Sequence, residues 1–88
     1  MRVLRLTALF HRTRRVHAPP GSPEDAAVRC ALGQLIRERD PLPGTDDEEE
    51  LRTPMDVTWA RSVAGTRLVI TYAWAPPVVE VRSVRPAW

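Results

Sequence analysis

Three successive runs in the carboxyl-terminal part of the chain alternate between apolar and polar residues, and this period of two constrains the fold more than any other feature. Breaks of only a few residues separate the runs, and each break contains glycine or proline. Breaks this short join antiparallel neighbours, so the sequence predicts a three-stranded meander. In chain order the runs are residues 55–63, 67–74 and 78–85, and the breaks are Ala64-Gly65-Thr66 and Ala75-Pro76-Pro77.

One strong helix signal precedes the meander, in residues 22–40. Ser22 can cap a helix, Pro23 suits the first helical position, and the acidic residues that follow complement the positive end of the helix dipole. Pro41 ends the helix, because the residue before a proline avoids helical geometry. Apolar residues recur at helical spacing, namely Ala27, Val28, Ala31, Leu32, Leu35 and Ile36. One side of this helix is therefore expected to pack on the sheet.

The rest of the chain predicts a first strand and two loops. Residues 2–10 alternate as a half-buried strand does. Residues 11–21 are rich in arginine and end in Pro19-Pro20-Gly21, which indicates a basic loop. Residues 41–54 carry five consecutive acidic residues between prolines, which indicates a solvated, mobile loop. The predicted fold is α+β: a small antiparallel sheet, made of the first strand and the meander, covered on one face by one main helix.

The length of the chain suits one small domain, and we expect residues 1–88 to form it. Hydrophobic residues make up 43% and charged residues 27%, which is ordinary for a soluble globular protein. No apolar run approaches the roughly 20 residues of a spanning helix, and the amino-terminal apolar stretch is too short for a signal peptide. Cys30 has no partner for an internal disulfide. We therefore expect a cytoplasmic protein with no membrane partner.

The sequence offers no pattern typical of a metal or cofactor site. One cysteine and two histidines, His11 and His17, do not have the ligand spacing of a structural zinc site. The four glycines are scattered, so no glycine-rich phosphate loop is present. Consecutive carboxylates at residues 46–50 point in several directions and stay solvated. We expect no metal and no cofactor.

All thirteen basic residues are arginine, and several cluster although the net charge is only +2. A face rich in arginine would bind phosphates in a salt-dependent way, whereas the 11 acidic residues can pair with many of these arginines instead. If the first and last strands are neighbours, Arg5 and Arg82 share a sheet face. Arginine is a poor proton acceptor, so proton transfer would need His11, His17 or Tyr72. The candidate nucleic-acid-binding residues are Arg5, Arg12, Arg14, Arg15, Arg61 and Arg82.

The meander resembles the carboxyl-terminal half of the RelE/ParE superfamily of bacterial toxins. The resemblance rests on the turn Gly65-Thr66-Arg67, the run Leu68-Val69-Ile70 and the valine-rich last strand. It implies a small toxin that an antitoxin holds inactive, and that either cuts messenger RNA on the ribosome or inhibits DNA gyrase. It also implies two catalytic residues. Arg67 matches the arginine that helps to hold the scissile phosphate, and Arg85 matches the arginine just past the last strand.

Two features depart from the pattern of that family. Its RNA-cutting members continue past the last strand into a basic and aromatic tail, where this sequence reads Pro86-Ala87-Trp88. The family also has two helices before the meander, and residues 11–21 are too short and too rich in proline for a full first helix. A second function therefore stays open: a noncatalytic interaction module, or a homodimer, in which Trp88 anchors a partner surface.

Overall fold

The computed structural model describes residues 1–87 as one five-stranded sheet with two helices packed on one face. The elements are β1 (Val3–Leu6), α1 (Ala8–His17), α2 (Pro23–Arg37), β2 (Glu48–Thr53), β3 (Asp56–Ser62), β4 (Leu68–Ala75) and β5 (Val78–Pro86). The strand order across the sheet is β1-β5-β4-β3-β2. The α+β class is confirmed, and β3, β4 and β5 form the predicted meander. No helix of the described part is long and apolar enough to cross a bilayer.

The core lies between the two helices and one face of the sheet. Alternate residues of β4 and β5 point into this layer, which is why the period of two is clearest in those strands. Burial of each large apolar side chain contributes roughly 1.5–3 kcal/mol to folding. Core residues with no exposed surface are Phe10, Ala18, Val28, Leu35, Ile70, Tyr72, Val79, Val81 and Val84.

The amino-terminal region differs from the prediction, because β1 is short and a helix replaces most of the expected basic loop. Thr7 caps α1, with its Oγ1 accepting a hydrogen bond from the Phe10 backbone N–H at 3.1 Å. Phe10 is the one buried residue described in α1, so no apolar stripe marks this helix in the sequence. Arginine is a good helix former and fills the solvated side. The prediction of a loop is therefore wrong for residues 11–17, where the first helix is present.

The sheet differs from the prediction in two ways. β1 pairs with β5 in parallel, so the sheet is mixed and not antiparallel; the elements from α1 to β4 provide the long connection that a parallel pair needs. β2 forms within the acidic segment predicted to be a loop, and it pairs with β3 at the sheet edge. All six side chains of β2 are exposed, so hydropathy carries no sign of this strand.

The main helix begins where it was predicted and ends slightly earlier. Ser22 Oγ accepts a hydrogen bond from the Asp25 backbone N–H at 3.1 Å, and Pro23 is the first helical residue. The helix ends at Arg37 and the extended residue Glu38 follows it. Its buried stripe includes Val28, Ala31, Leu32 and Leu35, as the helical spacing predicted.

A bulge in β5 ties α1 to the sheet. The register with β4 shifts at this point, so Arg82 lacks a partner across the ladder. Thr7 Oγ1 donates to the Arg82 carbonyl at 3.0 Å, and the Val84 backbone N–H donates to Thr13 Oγ1 at 2.9 Å. These two threonines, one at the cap of α1 and one within it, therefore satisfy backbone groups that the bulge would otherwise leave unpaired.

Replacing Thr13 by valine is expected to lower the free energy of unfolding by about 1–3 kcal/mol, because the Val84 N–H loses its acceptor in a buried position. Urea unfolding measures the change. Thr45→Val, at an exposed position, is the matched control and is expected to change stability by less than about 0.5 kcal/mol. Equal losses in the two variants would contradict this role for Thr13.

Candidate functional site

A cleft of about 560 Å³ lies where the end of α1 and the start of α2 meet the β3–β4 turn. Three of its side chains suit chemistry on a phosphate: His17, Glu24 and Arg67. His17 is the last residue of α1, and Glu24 lies in the first turn of α2. We name this the turn cleft, and its lining is His17, Glu24, Gly65, Thr66, Arg67 and Leu68.

The β3–β4 turn sets the position of Arg67. Gly65 has φ +77°, a conformation that glycine adopts without a steric penalty. Thr66 Oγ1 donates to the Val63 carbonyl at 2.8 Å and accepts from the Leu68 N–H at 3.0 Å. Leu68 is buried while Arg67 is exposed. Hydrogen bonds on both sides of Arg67 therefore hold its backbone at the edge of the turn cleft.

The open face of the sheet carries Arg5, Arg82 and Arg85, and the first two share this face as the sequence predicted. Each of the three pairs with carboxylates: Arg5 with Glu80, Arg82 with Glu80 and Asp56, and Arg85 with Glu50. The Arg82 guanidinium holds the pKa of Asp56 below its usual value, and the hydrogen bonds from Arg5 and Arg82 do the same for Glu80. Three arginines thus meet three carboxylates, so this face is close to neutral.

Arg61 is enclosed in a polar network beneath the 38–47 segment. It donates to both carboxylate oxygens of Asp47, at 2.8 and 2.9 Å, and forms an ion pair with Glu38 Oε1 at 2.9 Å. The Tyr72 hydroxyl also donates to Asp47, and burial and this carboxylate raise the pKa of Tyr72. The side chain of Arg61 is only 14% exposed and that of Asp47 only 2%. The contacts of Arg61 are those of a structural anchor between this segment and the sheet.

Arg14 and Arg15 lie with Arg29 around a second cleft, of about 290 Å³, between α1 and α2. Asp25 lies within it and forms ion pairs with Arg14 at 2.9 Å and with Arg29 at 3.0 Å. Arg12 is exposed on α1 and lines neither of these two clefts. We name the second one the interhelix cleft, and its lining is His11, Arg14, Arg15, Ala18, Pro20, Asp25 and Arg29. The partner role predicted for Trp88 lies outside the described residues.

The structure also brings in residues that the sequence interpretation missed. Glu24 and Asp25 are the acidic residues that were assigned only to the helix dipole, and Arg29 was not a candidate site residue. The spacing of Asp25 and Arg29, four positions apart on a helix, is the signal that could have revealed their ion pair. His17 and Arg67 were separate candidates, and their shared cleft depends on α1, which the sequence did not reveal.

No protein-family model matches the chain, and no curated protein matches it. Among solved structures, the crystal structure of YafQ from E. coli strain BL21(DE3) is similar to this chain, with a TM-score of 0.71 and 13% sequence identity. The match covers 98% of this chain and 93% of the YafQ chain. YafQ is a toxin of the RelE family. The protein therefore has the fold of YafQ, which confirms the RelE/ParE-like fold predicted from the meander.

Proposed function

We propose that the protein is a cytoplasmic toxin that cuts messenger RNA on the ribosome and that an antitoxin neutralises it. The observation that carries the proposal is that His17, Glu24 and Arg67 line one cleft. Arg67 is the residue that the RelE/ParE resemblance assigns to the scissile phosphate. The fold supports an antitoxin partner in general terms, since the similar structure is that of a toxin from a toxin–antitoxin system.

RNA cleavage by the neighbouring ribose 2′-hydroxyl needs a proton acceptor, a proton donor and positive charge at the phosphate. The 2′-oxygen bonds to phosphorus while the bond from phosphorus to the 5′-oxygen breaks. One proton leaves the 2′-hydroxyl and one reaches the 5′-oxygen. Arg67 supplies charge, because a guanidinium stays protonated. The His17 imidazole and the Glu24 carboxyl group are the two proton-transferring groups of the turn cleft.

The charge distribution disfavours the open sheet face as the reaction site. On the sheet face, a phosphate would have to displace Glu80, Asp56 or Glu50 from arginines already paired with them. That face also offers no histidine: His11 and His17 both lie on α1, on the opposite side of the sheet. The Arg85 role implied by the family resemblance is therefore secondary to that of Arg67 in this proposal.

Induced expression in bacteria is expected to arrest growth and to produce new cuts inside translated codons, which primer extension on total RNA detects. Arg67→Ala is expected to remove both the arrest and the cuts, because the phosphate loses its cation. Arg37→Ala removes an exposed arginine at the end of α2 and is the matched control that keeps both effects. Circular dichroism of the purified variants confirms that each one folds.

Two other results would overturn the proposal and would identify its replacement. Growth arrest without RNA cuts would contradict nuclease activity and would indicate a protein target, of which DNA gyrase is the first to test. Normal growth with a folded product would contradict toxin activity. It would favour a noncatalytic interaction module or a homodimer on this scaffold.

A further inference from the structure

We propose that the interhelix cleft binds a backbone phosphate of the RNA strand whose scissile phosphate lies in the turn cleft. The inference rests on the proposed function and deepens it, because it names where the substrate continues beyond the cut. Phosphate contacts of this kind position a nucleic acid without reading its sequence.

The interhelix cleft carries an excess of positive charge. Arg14, Arg15 and Arg29 bring three positive charges to the cleft and Asp25 brings one negative charge, so two positive charges are in excess. On the open sheet face, by contrast, three arginines meet three carboxylates. The interhelix cleft is therefore more positive than the sheet face, and a local excess of positive charge attracts an anion.

Asp25 orients the guanidinium groups of Arg14 and Arg29. Its side chain is only 6% exposed, and it accepts one Nη2 contact from Arg14 and one from Arg29. The Gly21 backbone N–H donates to the same carboxylate at 3.3 Å, so the carboxylate is fixed from a third direction. A guanidinium has five N–H donors, and one contact with Asp25 leaves others for a phosphate. The cleft therefore holds oriented arginines before any ligand arrives.

The ring of Phe10 also supports Arg14. The guanidinium carbon lies 5.8 Å from the centroid of this ring. Phe10 is fully buried in the core, so this support is rigid. The Arg14 hydrogen bond also holds the pKa of Asp25 below its usual value, and the carboxylate stays ionised at neutral pH. The ionised carboxylate therefore maintains its ion pairs with both arginines at neutral pH, where RNA would bind.

Residues adjacent in the chain line the two clefts at two places. His17 lines the turn cleft and the next residue, Ala18, lines the interhelix cleft; Glu24 lines the turn cleft and Asp25 lines the interhelix cleft. Consecutive Cα atoms lie about 3.8 Å apart, so the two clefts are near each other at the connection between α1 and α2. We expect one RNA strand with a phosphate at Arg67 to reach the interhelix cleft with a neighbouring phosphate.

The test is binding of a short fluorescent 2′-O-methyl RNA, which cannot be cut because its nucleophile is blocked. Fluorescence anisotropy is measured over a range of salt concentrations for the unmodified chain and two double variants. The test variant is Arg15→Ala with Arg29→Ala. The control is Arg37→Ala with Arg39→Ala. All four arginines are exposed, and each double variant removes the same charge. Arg14 is left in place, because it is partly buried against Phe10.

The test variant is expected to bind roughly tenfold more weakly, as expected for losing a charge-assisted hydrogen bond. The slope of log K against log salt is expected to fall in magnitude by about 0.7 for each phosphate that the variant no longer neutralises. The control keeps the affinity and slope of the unmodified chain.

Equal weakening in both double variants would overturn the inference, because it would indicate general attraction and no defined contact. Unchanged binding in the test variant would overturn it as well, and so would absence of binding by the unmodified chain at low salt. The proposed function fails separately, since it is judged by RNA cuts in cells and by Arg67→Ala.

Discussion

Replacing His17 by alanine is expected to slow cleavage of messenger RNA on programmed ribosomes by about 10²- to 10⁴-fold, the usual contribution of one general acid or base. The substitution removes the imidazole of the turn cleft and leaves Arg67 and Glu24 in place. Single-turnover rates measured with saturating protein isolate the chemical step, because binding and product release do not limit them.

His11→Ala is the matched control. It removes the same group from the same helix, but His11 lines the interhelix cleft and not the turn cleft. The single-turnover rate at saturation is therefore expected to stay that of the unmodified chain. Equal rates for His17→Ala and the unmodified chain would show that the proton does not pass through His17. Thermal unfolding of both variants verifies that neither rate reflects loss of the fold.

Replacing Asp47 by alanine is expected to lower the free energy of unfolding by about 3–5 kcal/mol, because it leaves a buried guanidinium without its main partner. The Tyr72 hydroxyl and the Gly44 backbone N–H lose the same acceptor. Denaturant unfolding gives the difference directly. Asp46→Ala, at the exposed neighbouring position, is expected to stay within about 0.5 kcal/mol. Similar losses for both variants would contradict the anchoring role of Asp47.

Asp47 also makes stability depend on pH. Burial alone would raise its pKa, but the hydrogen bonds from Arg61, Tyr72 and Gly44 outweigh burial and hold the pKa below the ordinary 3.8. The unfolded chain then takes up the proton more readily than the folded one. The contribution of Asp47 to the free energy of unfolding is therefore complete above about pH 4. It is lost as the pH falls through the folded-state pKa of Asp47. Asp47→Ala is expected to reduce the pH dependence of unfolding in this acid range.

The meander and α2 could be predicted because burial imposes a period on their hydropathy. Alternate residues of β4 and β5 belong to the core cluster, and α2 buries a stripe at helical spacing. The hydropathy of α1 and β2 shows no such period. α1 buries Phe10 but exposes Leu9 and Val16, and every side chain of β2 is exposed. Apolar spacing therefore does not predict a helix or strand that forms through capping or edge pairing.

Only part of the candidate site could be predicted from the sequence. Arg67 follows a turn whose glycine and threonine are visible in the sequence, so its place at the edge of the sheet was expected. His17 reaches the same cleft only through α1. The inward turn of Asp47, one carboxylate in an acidic run, depends on how β2 pairs with β3. Because the sequence does not show that Asp47 turns inward, Arg61 was assigned to nucleic-acid binding. In the structure, Asp47 and Glu38 enclose it.

The acidic edge strand β2 has a consequence for association between copies of the chain. An exposed strand edge is a template on which another strand can add, and charged side chains are the usual protection against this. Two copies that met through β2 would bring Glu48, Glu49 and Glu50 against the same residues of the other copy. Arg52 and Arg85 pair with Glu49 and Glu50, so repulsion between the two copies falls mainly on Glu48, and the charged edge opposes extension of the sheet.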